Sequence, residues 1–232
     1  MREIVFDTET TGLDAGKDRI IEVGCVELFN WVETGRTYRT MIDPGVKLSA
    51  EITKITGYTD RDVKGQPRFD QIVDELMAFI GDADIVAHNA EFDRNFLNAE
   101  LARLGRPSAG NRFVDTRKLA LEKAPGAGGS LNALCRPYSD RICERFKVAK
   151  WEDARPVHGA LIDAQLLAVC YLELRGGRQT TLELSALNRT GGAGGAPVVA
   201  RQPRPRPLAS RIRPEEAEAH AAFIAEMGDG AL

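Results

Sequence analysis

The sequence EIVFDTETTG, residues 3–12, starts with apolar and β-branched side chains and ends in a Thr-Thr-Gly turn. This pattern predicts a buried strand that meets a loop at its carboxyl end. Asp7 and Glu9 are two residues apart, so both carboxylates project from the same face of that strand. A D-x-E pair is common, and one interpretation is a solvated strand end. The apolar residues before the pair and the turn after it favour a functional site.

The segments around this strand predict a sheet with helices on its faces. Further strands are expected over residues 20–29, 37–42, 84–89 and 112–116, and helices over 69–80, 91–104 and 160–174. Three strands come first, and strands then alternate with helices. The expected fold class is therefore α/β, with a five-stranded mixed sheet flanked by helices.

The composition excludes several classes of protein. With 232 residues, 43% of them hydrophobic and 28% charged, the chain is neither collagen-like nor wholly disordered. Its longest apolar run is Leu166–Leu172, which is too short to cross a membrane, and its start has no signal-peptide pattern. The four cysteines show no CxxC spacing, so we expect reduced thiols in a cytoplasmic protein. Because the net charge is −3, any affinity for nucleic acid must come from a local site.

Two further aspartates stand on apolar helix faces. Asp93 lies in HNAEFDRNFL and Asp163 in HGALIDAQLLAVC, and in both segments apolar residues follow three and four positions later. One such residue alone is usually a capped or paired structural aspartate. Together with Asp7 and Glu9, however, they indicate a carboxylate cluster, whose burial and mutual repulsion a divalent metal ion would relieve.

His158 stands five residues before Asp163. On one helix the two side chains would lie about 140° apart, so His158 is expected at the helix start or in the loop before it. There it could accept a proton from water. The alternative is a histidine that only caps a turn. Two of the three histidines, His88 and His158, fall in the segments that carry the separate aspartates.

Three motifs together resemble a known family. FDTETTG, HNAEFDRNFL and HGALIDA are similar, in order and spacing, to the three motifs of the DEDDh 3′–5′ exonucleases. VDTRKLALEKAPG, SLNALCRPY and the helix from Ala160 are similar to the proofreading epsilon subunits of bacterial DNA polymerase III. The resemblance covers residues 1–187 and implies a ribonuclease-H-like fold. Gly159 occupies the position where another branch of these nucleases has tyrosine, which indicates the histidine branch.

The resemblance also implies roles for individual residues. The ligands of two divalent ions, Mg²⁺ or Mn²⁺, would be Asp7, Glu9, Asp93 and Asp163. His158 would be the general base. The residues that contact the terminal nucleotide would be Thr10, Thr11, Gly12, Leu13 and Phe92. The implied activity removes mismatched nucleotides from DNA 3′ ends. Trimming of RNA 3′ ends is the alternative, and a non-catalytic binding module is a third interpretation.

The C-terminal part has a different composition. Residues 188–213 are rich in Gly, Pro and Arg and predict a flexible linker, and residues 214–228 predict an amphipathic helix. The family resemblance implies that this tail binds the polymerase catalytic subunit; the alternative is that the helix folds back onto its own domain. QTTLEL, with Gln179, Leu182 and Leu184, resembles a sliding-clamp motif, although it could equally be the chain leaving its last helix.

The segment from Tyr138 to His158 is longer than the family pattern predicts. It carries five basic residues against four acids. A solvated loop is the expected structure, and a surface that guides the DNA strand is the alternative.

Overall fold

The computed structural model describes residues 1–126, 128–176 and 214–227. The chain divides into two units, Met1–Thr181 and Leu182–Leu232. The strands of the first unit are β1 (Arg2–Thr10), β2 (Ile20–Phe29), β3 (Val32–Met41), β4 (Asp84–Ala87) and β5 (Phe113–Asp115). Its α-helices are α1 (Ala50–Thr56), α2 (Asp60–Val63), α3 (Phe69–Ile80), α4 (Ala90–Arg103), α5 (Thr116–Lys123), α6 (Leu131–Cys135), α7 (Ser139–Phe146) and α8 (Ala160–Leu174). Short 3₁₀ helices cover Arg136–Tyr138 and Trp151–Ala154.

The sheet has the strand order β3-β2-β1-β4-β5. β1 is antiparallel to β2 and β2 is antiparallel to β3, whereas β1, β4 and β5 are parallel. The predicted five-stranded mixed sheet is therefore confirmed, and the strand that carries Asp7 lies at its centre. Ligands of such sheets bind beyond the carboxyl ends of the parallel strands, which is where β1 delivers its acidic residues.

Helices cover both faces of the sheet. Side chains alternate along the central strand, so successive residues of β1 pack into opposite layers. Ile4 and Phe6 of β1 pack in one apolar layer with α3 and α4. Val5 faces the opposite layer, which is built mainly on α8. Asp7 and Glu9 share the face of Val5, so the strand presents its carboxylates toward the start of α8.

The Tyr138–His158 segment is not the solvated loop that we expected. It forms α7 and a 3₁₀ turn, and Ile142, Trp151 and Ala154 are buried against the α8 layer. Arg145 also binds Glu33 of β3 at 2.8 Å. The prediction was wrong because the apolar residues of this segment are few and widely spaced, so they form no recognisable sequence pattern. Their burial depends on contacts with α8, which is distant in the sequence from most of them.

A separate helix, α9 (Pro214–Met227), lies in the predicted tail. Its partner-binding role stays a prediction. The proposed linker and Gln179, Leu182 and Leu184 lie outside the described residues. Within the part of the chain that the structure describes, no helix has both the length and the apolar character that crossing a membrane requires.

Gly24 allows α8 to approach the sheet. It is the β2 residue paired with Asp7 across the ladder. A Cβ atom at this position would lie 2.2 Å from the Ala160 carbonyl carbon and 2.3 Å from the Leu161 nitrogen. Backbone atoms cannot move aside as a flexible side chain can, so only glycine lets the first turn of α8 lie beside Asp7.

We predict that Gly24→Ala destabilises the protein by about 1–3 kcal/mol or more, because the helix must move off the sheet. Urea unfolding followed by circular dichroism measures the change. Gly110→Ala is the control, because a Cβ atom there meets nothing within 4 Å. Equal stability of the two variants would contradict the close-packing explanation.

Candidate active site

The predicted acidic residues converge at the carboxyl end of β1. Asp7 and Glu9 come from the strand itself and are half-buried. Asp93 lies in the first turn of α4, and Asp163 lies in the first turn of α8; each is only 3% exposed. The first turn of a helix carries partial positive charge from its free N–H groups, which favours a carboxylate. The fold thus directs two helix starts and one strand end at the same point.

The charges of the other three carboxylates act on Asp7. Burial raises the pKa of Asp7 well above its usual value, and Asp93, Asp163 and Glu9 raise it further. Burial, followed by the charges of Asp163 and Glu22, raises the pKa of Glu9 to about 8. The negative charges of all three other carboxylates thus act on Asp7, which places it in the middle of the cluster.

Asp93 is held from the opposite face of β1. The Thr8 hydroxyl donates a hydrogen bond of 2.8 Å to Asp93 Oδ1. Burial raises the pKa of Asp93 to about 7, and this hydrogen bond opposes the rise. The side chain is therefore fixed in position, with its charge only partly compensated.

The residues present fit divalent metal ions. Glu9, His158 and Asp163 each offer a ligand atom, and these atoms lie within 4.8 Å of one another. Asp7 adds a carboxylate at the centre of the cluster. Carboxylate oxygens are the ligands that Mg²⁺ and Mn²⁺ prefer. A bound cation would also remove the repulsion that raises the carboxyl pKa values.

The start of α8 is braced by a buried acid that the sequence did not reveal as important. Glu22 of β2 is fully buried, and its carboxylate accepts the Ala160 N–H at 2.9 Å. The Tyr58 hydroxyl donates to the same carboxylate at 2.8 Å, and Arg39 donates at 2.6 Å. Glu22 thus fixes the first residue of α8, and with it the positions of His158 and Asp163.

His158 lies in the loop directly before α8, as the sequence predicted, and its side chain is 44% exposed. Burial and the nearby Arg155 charge lower its pKa, which favours the neutral ring. Its Nδ1 lies 3.6 Å from Asp163 Oδ2. A neutral, half-exposed imidazole beside carboxylates can accept a proton from water. His88, by contrast, contacts Thr116 and Gly129 and has a structural role.

Arg155 is a site residue that sequence reasoning missed. Its guanidinium donates to both Asp163 oxygens, to Asn132 Oδ1 at 2.6 Å and toward His158 Nδ1 at 2.7 Å. A guanidinium has only donors, so Nδ1 must accept, and the neutral ring carries its proton on Nε2. The available signal was an arginine three residues before the candidate base.

The predicted nucleotide-contacting residues form a turn beside the carboxylates. Thr10 Oγ1 donates to the Gly12 carbonyl at 2.6 Å, and Thr11 Oγ1 donates to Asp18 at 3.1 Å. Leu13 is 86% exposed and lines a surface depression together with Phe92. Phe92 stacks on Phe96 at 4.7 Å, and Phe96 itself is core. The turn thus presents an exposed apolar side chain next to the acidic site.

Comparison with known proteins gives consistent results. A family model described as an exonuclease matches residues 4–171. The chain is 41% identical over 189 residues to the DNA polymerase III subunit epsilon of Rickettsia typhi, covering 79% of this chain and 78% of that protein. It is 34% identical to the Salmonella typhimurium subunit, covering 91% and 85%.

A solved structure shows the same fold. The nuclease domain of 3'hExo, a DEDDh family member bound to rAMP, superimposes with a TM-score of 0.59 at 18% identity, covering 75% of this chain and 92% of that one. The exonuclease family model covers the residues that form the acidic site, and the epsilon subunits align with most of this chain. The chain is therefore an enzyme of the exonuclease family, and it belongs there to the DNA polymerase III epsilon subunits.

Proposed function

We propose that this chain is a proofreading exonuclease that removes mismatched nucleotides from DNA 3′ ends. The observation that carries the proposal is the convergence of Asp7, Glu9, Asp93 and Asp163 beside His158. A chain with this cluster and 41% identity to an epsilon subunit has the residues required for phosphodiester hydrolysis.

In the proposed mechanism the four carboxylates would hold two divalent ions, Mg²⁺ or Mn²⁺, and Asp7 would supply the central carboxylate of the set. When bound, these ions would stabilise the negative charge that develops on the phosphate and on the leaving 3′ oxygen. His158 takes the proton from the attacking water at Nδ1, the ring nitrogen that carries no proton, after Arg155 has released that atom. Glu22 and the α8 start keep this histidine beside Asp163.

The turn after β1 would bind the terminal nucleotide. Thr10, Thr11 and Gly12 offer backbone and hydroxyl contacts, while Leu13 and Phe92 offer apolar surface. Such contacts do not read base identity, because every base has a flat apolar face. This tolerance suits an enzyme that must remove any mismatched end.

DNA and RNA substrates are distinguished by cleavage of matched oligonucleotides in Mg²⁺ or Mn²⁺. We expect single-stranded DNA to be shortened from its 3′ end at least about tenfold faster than RNA of the same sequence. Faster cleavage of RNA would favour the RNA-trimming alternative instead.

Asp7→Ala serves as the inactive reference in that assay. It should lower cleavage by more than about 10³-fold, because the central ligand is lost, while the protein remains folded. Asp74→Ala, which removes an exposed acid paired with Arg106, should cleave like the wild type. If the Asp7→Ala protein remained active, the assignment of a metal site would be wrong. The carboxylate cluster would then have no role in catalysis.

We predict that His158→Ala lowers the turnover rate by roughly 10²–10⁴-fold and leaves DNA binding nearly unchanged, since a general base acts on the barrier. Single-turnover cleavage and fluorescence anisotropy measure the two effects. His220→Ala, a change on the exposed surface of α9, is the control. A loss of binding or of folding in His158→Ala would make the residue structural.

The C-terminal part is proposed to join the nuclease to its replicase. Helix α9 begins at Pro214 and has acidic residues in its first turn, and both features favour a helix start. A helix of this length is marginal alone in water, which supports a partner-bound state. We propose that it binds the polymerase catalytic subunit, and that the segment at Gln179, Leu182 and Leu184 contacts a sliding clamp. This replication role would place the protein in the cytoplasm.

Truncation after Leu187 should leave cleavage of single-stranded DNA within about twofold of wild type and abolish co-purification with the polymerase subunit, because the tethering helix is removed. Co-expression with a tagged polymerase subunit measures the association. A truncated chain that still co-purifies, or that loses its nuclease activity, would contradict this division of roles.

A further inference from the structure

Arg155 is a buried positive charge beside the acidic residues of the site. Its side chain is only 8% exposed, and it contacts both oxygens of Asp163. The Arg155 charge opposes the rise in pKa at Asp7, Glu9 and Asp163. Arg155 acts on all three carboxyl groups, so it supplies the cluster with counter-charge from within the protein.

Each of the three guanidinium nitrogens has at least one hydrogen-bond partner. Nη1 donates to Asn132 at the start of α6, and Nη2 reaches both Asp163 and His158 Nδ1. One side chain therefore links α6, the His158 loop and the first turn of α8. Asp163 and His158 are also two of the three side chains in the candidate metal group, whose third member is Glu9.

We propose that Arg155 is a positioning residue that stands in for the metal ion: it holds the metal-free site together and competes with the ion for Asp163. Both Asp163 oxygens already accept hydrogen bonds from Arg155, so an ion that binds Asp163 must weaken that pair. His158 Nδ1 also accepts a hydrogen bond from Arg155. On this proposal Asp163 and His158 exchange Arg155 for the ion when the ion binds.

This inference rests on the proposed metal site, and the two can fail separately. Arg155→Met removes the charge while keeping an unbranched apolar stem. In EDTA the variant should melt at a lower temperature than the wild type, because the clustered carboxylates lose their counter-ion. Calorimetric titration with Mn²⁺ should show affinity about tenfold tighter, because the competing cation is gone.

Arg155→Lys keeps the charge but cannot donate to Asp163, Asn132 and His158 together, so its Mn²⁺ affinity should fall between those of wild type and Arg155→Met. Arg145→Met is the matched control. Arg145 lies in the same segment between α6 and α8, but it pairs with Glu33 away from the carboxylates. Its replacement should therefore leave Mn²⁺ affinity unchanged.

Mn²⁺ affinity of Arg155→Met that equals or falls below that of the wild type would overturn the inference. Should this variant be unfolded in EDTA, recovery of its circular dichroism spectrum on adding Mn²⁺ would support the stand-in role. Failure to recover would show that Arg155 is only structural. A wild-type protein that binds no Mn²⁺ would instead refute the proposed metal site, and the inference with it.

Discussion

The repulsion among four carboxylates is the constraint on which this structure depends. Asp7 lies at the middle of the cluster, where burial and its three acidic neighbours raise its pKa. Such an arrangement is unfavourable by itself and persists only if the rest of the fold over-determines it. The central strand, two helix starts and one internal arginine provide that support.

The support comes from elements far apart in the sequence. Gly24 lets α8 approach β1, and Glu22 holds the first residue of that helix by its backbone N–H. Arg39 and Tyr58 complete the hydrogen bonds of the Glu22 carboxylate. Glu22 thereby avoids being an unpaired buried charge, and it fixes the helix that carries Asp163.

The segment between α6 and α8 packs against the core and also contributes a side chain to the active site. Its apolar residues Ile142 and Trp151 bury against the α8 layer, which anchors the segment. Arg155 follows directly after this anchored part and reaches the carboxylates and His158. A freely moving loop could not hold a guanidinium at a buried site, because ordering a long side chain has an entropic cost. This segment therefore contributes a positive charge to the site and also covers part of the core.

Sequence alone predicted the five strands, the helices α3, α4 and α8, the mixed sheet and a candidate set of four carboxylates, because period-two and period-3.6 patterns and local spacing encode them. It placed α8 at residues 160–174 and His158 either at the start of that helix or in the loop before it; the structure shows the loop. It did not reveal the roles of Glu22, Gly24 and Arg155. Those roles arise from contacts between residues up to 138 positions apart. Only the tertiary structure decides such contacts, since the energy of a buried charge depends on what surrounds it in space.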